Sequence, residues 1–409
     1  METALYAHIP FCRRRCSYCD FNTWTGLERL TRPYVDALAA ELELLRHQSE
    51  DWQVRTFYLG GGTPSLLPAE YVKIIVEAAL PIPGAEISLE SNPGTLEPAL
   101  LTSLRRIGVN RLSIGMQSAD PGELLLLGRP HDLADVQDAF RWARAAGFEN
   151  INLDLIYGLP AQRIGIWRRT LDAALTLSPD HLSLYALTVE PETPLAALIG
   201  QGSVPPPDPD QAADLYDLSR EELAAAGYVQ YEISNWARPG KECRHNLAYW
   251  RNEQYLGAGA GAWGHWPEGD TGWRLRNVAH PTEFIERLRC AERPPGAPSR
   301  IPLSPASVEW EPVPRPLAMA ETMFMGLRLV QEGVIRQAFA DRFGADPVDI
   351  YAEVLADLAR TNLIQWDEKH IFLPAEVILI SNSILSAFLP EEQETSAADP
   401  CTSQEQTSV

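Results

Sequence analysis

An open (β/α)6 barrel followed by a small α+β winged-helix-like module is the fold class this sequence predicts, and three observations carry it. Strand-like runs alternate with helical patterns from residue 4 to residue 234, the signature of a parallel sheet whose crossovers are helices. The six or seven such units suit an open barrel better than a closed eightfold one. Every notable motif within the barrel falls where a strand ends, the position from which side chains reach the mouth of a parallel barrel.

Residues 4–9 (Ala-Leu-Tyr-Ala-His-Ile) form the first strand, Pro10 ends it, and it delivers Cys12-Arg-Arg-Arg-Cys16-Ser-Tyr-Cys19-Asp-Phe. A helix follows over 32–47, with Pro33 in its first turn and Tyr34, Leu38, Leu42 and Leu45 at helical spacing. Further strands are expected at 54–59, 86–91, 111–116, 151–157, 181–188 and 229–234, and helices at 68–80, 98–107, 132–146, 166–177 and 210–226. The barrel thus occupies 1–236. Prolines then become frequent and apolar periodicity weak, so 237–316 reads as a motif-bearing segment and a Pro-rich linker. Helical patterns at 317–331 and 347–360, an alternating hairpin stretch at 363–373 and a helix at 375–388 make the winged-helix-like module of 317–389. Residues 390–409 are acidic and polar and are expected to be disordered.

With 409 residues, 45 % of them hydrophobic, the chain can bury a large core. A formal charge of −21 argues against a nucleic-acid partner, because a polyanion would be repelled. No apolar run reaches 18 residues and no basic-then-apolar start appears, so neither a membrane span nor an export signal is expected, and a cytoplasmic address follows. Arg13, Arg14 and Arg15 are the densest positive cluster. They either hold an anionic substrate, cofactor or electron donor, or balance a negative group beside them.

The chemistry starts with Cys12, Cys16 and Cys19. Four cysteines would close a zinc site or fill every iron of a cubane, whereas three leave the fourth iron of a [4Fe-4S] cluster open. Structural thiols, or a zinc knuckle borrowing His8, are the other readings. After the second strand comes Gly60-Gly61-Gly62-Thr63-Pro64, whose glycines let backbone approach a ligand. Glu90 closes the third strand with its carboxylate toward the mouth, which is costly unless paired, either with a ligand or with an arginine. Gln117, Arg129 and Asp154 lie at later strand ends, and His131 reads as an exposed loop histidine. The run Leu256–Gly264 lacks GxGxxG spacing and reads as close backbone packing.

The CxxxCxxC spacing resembles the radical S-adenosylmethionine (SAM) superfamily, in which SAM chelates the open iron of a [4Fe-4S] cluster. The longer ordered set resembles the radical-SAM coproporphyrinogen III oxidase family: Tyr six residues before the first Cys, GGGTP, E-x-NP, S-x-G-x-Q-S, Arg twelve residues after that Gln, and DLIYGLP. The resemblance implies that Tyr6, Gly61 and Glu90 contact the cluster's SAM, and that Tyr18, Gly62, Thr63, Gln117, Arg129 and Asp154 match positions holding a second SAM. Two departures count against the oxidase's own reaction: Phe21 stands where the oxidases carry a further cysteine, and only eleven residues precede Cys12.

Glu242-Cys243-Arg244-His245-Asn246-Leu247-Ala248-Tyr249-Trp250-Arg251 resembles the HNxxYW signature of the HemW haem chaperone group of that family. The resemblance implies haem, with His245 on its iron, Tyr249 and Trp250 against the macrocycle, and Arg244 (with Arg251) pairing propionates. A structural histidine in an aromatic cluster is the ordinary alternative, with Cys243 a bystander, a thiolate ligand or a covalent attachment point, although the CxxCH signature of c-type haem is absent. The function expected is a haem chaperone that passes haem to an acceptor protein and carries a SAM-coordinated cluster fed by an electron donor. An oxygen-independent coproporphyrinogen III oxidase is the rival, and whether the chain is an enzyme stays open. A radical-SAM methyltransferase finds no methyl-carrier cysteine pair here.

Overall fold

In the computed structural model, which describes residues 2–49, 51–290 and 292–390, seven parallel strands make an open barrel. In chain order they are β1 (Glu2–Ile9), β2 (Gln53–Gly61), β3 (Glu86–Ser91), β4 (Arg111–Gln117), β5 (Ile151–Tyr157) and β6 (His181–Ala186), with a further short strand beside β1 described below. The crossovers are α1 (Thr31–Gln48), α2 (Ala69–Ala79), α3 (Pro98–Ile107), the short α4 (Pro121–Leu126) with α5 (Leu133–Ala145), and α6 (Ile164–Thr176). After β6 come α7 (Pro194–Gly200) and α8 (Pro209–Ala225). Alternation along each strand divides the two faces. On β1, Leu5, Ala7 and Ile9 join the buried layer under the helices, while Tyr6 and His8 look into the hollow.

The barrel's seventh strand is not the expected 229–234. That segment gives β7 (Val229–Glu232), which pairs antiparallel with β8 (Asn235–Ala237), itself antiparallel to β6. After α9 (Arg244–Trp250), the parallel neighbour of β1 on the other edge is β9 (Tyr255–Ala258). It continues antiparallel through β10 (Trp263–Glu268), β11 (Thr271–Asn277) and, after α10 (Pro281–Cys290), β12 (Ser307–Val313). The Pro-rich linker expected within 237–316 is therefore an extension of the sheet. The sequence hides it because β9 is short and Gly/Ala-rich, and β10 and β11 alternate Trp, His and Arg rather than aliphatic residues. Close packing of the glycine run is found: a Cβ on Gly257 would lie 2.1 Å from the Trp263 carbonyl oxygen.

Glu41 on α1 locks this extension to the barrel. Its carboxylate accepts from Gly259 N (2.7 Å), Asn277 Nδ2 (2.7 Å) and Ser304 Oγ (2.6 Å), all buried.

The C-terminal module has its own core around Met323, Phe339, Phe343, Leu355 and Ile371. It consists of α11 (Arg315–Gly326), β13 (Val334–Ile335), α12 (Arg336–Phe343), α13 (Pro347–Ile350), α14 (Ala352–Arg360), β14 (Gln365–Trp366) and β15 (His370–Phe372), the strands forming the small sheet β13-β15-β14. The expected helix 347–360 breaks at Tyr351 (φ −105°, ψ 28°). That at 375–388 is instead 3-10 turns (Ala375–Ile380 and Ser386–Phe388) around a short α15 (Ser381–Leu385), where β-branched residues and serines make poor helix interior. The expected tail lies, beyond Pro390, outside the described residues. Among the described residues no helix is long and apolar enough to cross a membrane.

Candidate functional site

The cysteine loop is held by backbone at both ends. Cys12 N donates to Trp24 O (2.9 Å), Ser17 N to Leu127 O (3.1 Å) and Ser17 Oγ to Leu126 O (2.6 Å), so the loop leans on the end of α4. Cys12, Cys16 and Cys19 are free thiols that line one cavity of about 380 Å³ at the C-terminal ends of the strands. Burial raises the Cys12 and Cys19 thiols above their ordinary value, while Thr63 Oγ1, 3.6 Å from Cys12 Sγ, and the Arg129 charge work the other way on Cys12, toward the thiolate that iron binds; Arg129 Nη1 also donates to Cys16 Sγ (3.4 Å).

His8 is withdrawn from any fourth-ligand role, since its Nδ1 bonds Tyr6 OH (3.0 Å) and its Nε2 bonds Asn22 O (2.8 Å). Three thiols on one side of a cavity, without an imidazole to close the set, fit a cluster with one open iron better than zinc.

The cavity also gathers Tyr18, Gly61, Gly62, Thr63, Glu90, Gln117, Arg129 and Asp154, whereas Tyr6 faces a neighbouring cavity that shares Gly61 and Glu90 with it. The amides of Gly61, Gly62 and Thr63 are already donated to Glu90 Oε2 (2.9 Å), Ile9 O (2.8 Å) and Phe11 O (2.9 Å), so this backbone offers a ligand only acceptors. That suits an ammonium group. The glycines are required by packing as much as by a ligand: a Cβ on Gly61 would lie 2.4 Å from the His8 ring and one on Gly62 2.6 Å from Phe11 O.

Glu90 also accepts from Tyr58 OH (2.9 Å), and burial, then the nearby Asp154 charge, raises its carboxyl to about 7. Among the described residues no arginine hydrogen-bonds or ion-pairs with it, and Arg111 acts on it only at a distance, so the salt-bridge alternative is not what the fold built. Asp154 accepts from Ser113 Oγ (2.7 Å) and Asn152 Nδ2 (2.8 Å), yet burial still raises it. Arg129 reaches Gly115 O (2.8 Å) and Asn92 Oδ1 besides Cys16, while its buried Nε has no partner among the described residues. Gln117 sits at φ +64° where β4 bulges against β5, which turns its side chain into the cavity. An orphaned guanidinium N–H beside buried carboxyls and glycine acceptors is the donor and acceptor set a zwitterionic, cationic molecule such as SAM requires. His131, expected on the surface, is buried with Nε2 on Met116 O (3.0 Å), and burial lowers it to about 4.

The helix α9 carries HNxxYW into the hollow from the barrel floor. Glu86, first residue of β3, accepts from Arg244 N (3.2 Å) and His245 N (3.1 Å). His245 is 1 % exposed and stacks on Tyr58 (5.2 Å between centroids). Its Nδ1 bonds Thr56 Oγ1 (2.9 Å) and its Nε2 bonds Tyr249 OH (2.9 Å). The expectation of an open axial ligand is thus not met: both ring nitrogens are engaged. Two further expectations are corrected. Arg244 points to Gly84 O (3.2 Å) on the floor, because it begins the helix there, and Arg251 forms a two-pronged pair with Glu332 (2.8 and 2.6 Å). Cys243 is fully buried beside Glu86, with its thiol pushed up to about 12, which makes it inert.

Tyr249 and Trp250, at the other end of α9, do reach a cavity. It holds about 600 Å³ and adds Tyr255, Trp263, His265, Arg274 and Met325, which sequence reading passed over. Their signal is the register of β9, β10 and β11, which only the paired sheet reveals.

Residues 6–174 match the family model of the Radical SAM superfamily, and residues 313–379 that of the HemN C-terminal domain. The heme chaperone HemW of Bacillus subtilis is 36 % identical over 391 residues, covering 94 % of this chain and 99 % of that protein. The heme chaperone HemW of Mycobacterium tuberculosis is 43 % identical over 297 residues, covering 71 % and 75 %. Among solved structures, coproporphyrinogen III oxidase (HemN) from Escherichia coli superposes with a TM-score of 0.77 at 25 % identity, covering 95 % of this chain and 89 % of that one.

Proposed function

Since the chain belongs to the HemW heme chaperone family of the radical SAM superfamily, we propose that it binds haem and hands it to an acceptor protein, beside a SAM-coordinated [4Fe-4S] cluster. The observation that carries this reading is the pair of adjoining cavities, one lined by three thiols and one by aromatic rings, which share Phe21, Gly61 and Glu90. Cys12, Cys16 and Cys19 would hold the cluster, which when bound would supply an open coordination site for SAM and a reducing electron. Gly61, Gly62 and Thr63 offer backbone and hydroxyl acceptors, Glu90 and Asp154 offer carboxyls, and Tyr18, Gln117 and Arg129 complete the polar lining. Tyr249 and Trp250 present flat apolar surface to the macrocycle.

The exposed Arg13, Arg14 and Arg15 beside the cluster loop support an acidic electron donor as a further partner. A reducing compartment such as the cytoplasm is supported by the need to keep three free thiols available to iron.

The overall likeness to the oxidase fold supports coproporphyrinogen decarboxylation as the second reading. Anaerobic reconstitution, followed by titration with haem and by incubation with coproporphyrinogen, SAM and a reductant, separates the two. Saturable haem binding without protoporphyrinogen formation is expected. Steady protoporphyrinogen production would reverse the order. Loss of the cluster's absorbance in Cys16→Ala tests the iron–sulfur assignment.

A further inference from the structure

The aromatic cavity has a face that no motif announces. Tyr255, His265 and Arg274 are register partners across β9, β10 and β11, so their side chains stand in one row on one side of the sheet. His265 is 4 % exposed and lines the cavity, yet its buried Nε2 has no hydrogen-bond partner among the described residues. The buried indole N–H of Trp250, across the same cavity, also lacks one. A buried imidazole nitrogen and a buried indole N–H without partners, on two residues that line one cavity, ask for an explanation, and a ligand in that cavity supplies one. Arg274, bonded to Glu321, keeps further guanidinium donors for a carboxylate.

Resting on the haem-carrier reading above, we propose that His265 Nε2 is the axial ligand to the haem iron in this cavity, with Tyr249 and Trp250 against the macrocycle and Arg274 meeting a propionate. His245 then serves to position Tyr249. Only a neutral imidazole has a lone pair to give a metal, and burial, aided by the charges of Arg342 and Arg274, lowers His265 to about 4, so it is neutral through the physiological range. The rim supports a large planar guest: Phe21 is 63 % and Trp263 43 % exposed, large apolar surface left open beside the cavity.

The test uses the full chain, purified anaerobically, titrated separately with haem and with metal-free protoporphyrin while the Soret band and the electron paramagnetic resonance of the ferric form are followed. In His265→Ala, haem affinity is expected to fall by at least about tenfold and the histidine-ligated signature to vanish, with added imidazole restoring it; protoporphyrin, which has no iron to ligate, should bind within about twofold of the parent. His265→Gln, which keeps bulk but gives no comparable ligand, should behave as Ala does and covers poor folding of the smaller variant. An unchanged haem spectrum in both variants overturns the assignment, as does an equal loss of haem and protoporphyrin, which would mean that His265 only shapes the cavity. Loss of the signature in His245→Ala but not in His265→Ala overturns it too. If the parent chain binds no haem at all, the carrier reading itself fails, and that result is distinct from the others.

Discussion

The His245 Nε2 and the Tyr249 hydroxyl lie 2.9 Å apart, so the first and fifth positions of HNxxYW are bonded to each other across one helical turn. With Nδ1 on Thr56 Oγ1 (2.9 Å) and the ring stacked on Tyr58, the imidazole is a rivet between α9 and β2.

Tyr249→Phe leaves that buried nitrogen without a partner. We expect a loss of roughly 1–3 kcal/mol in stability, and a double-mutant cycle with His245→Ala should show a coupling above about 0.5 kcal/mol. Thermal or urea denaturation of the four proteins measures it. Additive effects would mean that the contact contributes nothing.

The two cavities share Phe21, Gly61 and Glu90 but none of the cysteines, since Cys12, Cys16 and Cys19 line only the first. Changing all three to Ala should therefore eliminate the iron–sulfur signal and leave haem affinity within about tenfold, roughly 1.4 kcal/mol. A variant shown to be folded by circular dichroism that has lost haem altogether would prove that the cluster helps to form the haem site.

Glu90 titrates near 7 because it is buried and lies near Asp154. SAM carries a positive sulfonium, so the ionised carboxylate is the form that favours it, and a protonated Glu90 must first lose its proton. Affinity of the reconstituted protein for SAM should consequently fall by about tenfold between pH 8 and pH 6, following the ionised fraction. In Glu90→Gln that dependence should flatten and binding at pH 8 weaken. Calorimetry at the two pH values decides, and a parent protein whose affinity does not change with pH would refute the role.

Glu41 provides a stability test away from both cavities. Burial outweighs its three hydrogen bonds and raises it from 4.5 to about 7. The folded state therefore holds the proton more tightly than the unfolded chain does. The stability linked to this group is complete below about 4.5 and declines as pH rises to about 7, by at most roughly 3 kcal/mol. Glu41→Gln should remove that slope, so the melting temperatures of parent and variant should diverge across this window by a changing amount. A constant offset from pH 4.5 to 7.5 would contradict the raised carboxyl.

Much of this protein is determined by local pattern. The strand periods of β1 to β6, the helices between them and the placing of CxxxCxxC, GGGTP, Glu90, Gln117, Arg129 and Asp154 at strand ends follow from residue order alone, because a parallel strand–helix unit sends each strand's C-terminal residues to one mouth. Identity of the motif residues was likewise enough to pick the thiols that meet in one cavity. What sequence could not decide is which side chains remain free once the chain is packed. His245 reads as a ligand until Thr56, 189 residues away, and Tyr249 take both its nitrogens. Arg251 reads as a propionate partner until Glu332 engages it, and the Gly61 amide as a ligand contact until Glu90 accepts it. The strands β9 to β12 escaped notice because their stabilisation comes from the neighbouring strand and not from their own apolar alternation, and only that pairing sets His265 between Tyr255 and Arg274. Hydrogen-bond satisfaction is a property of contacts between distant segments, so it belongs to the tertiary structure, and it is what separates a residue that holds the fold from one that is open to a ligand.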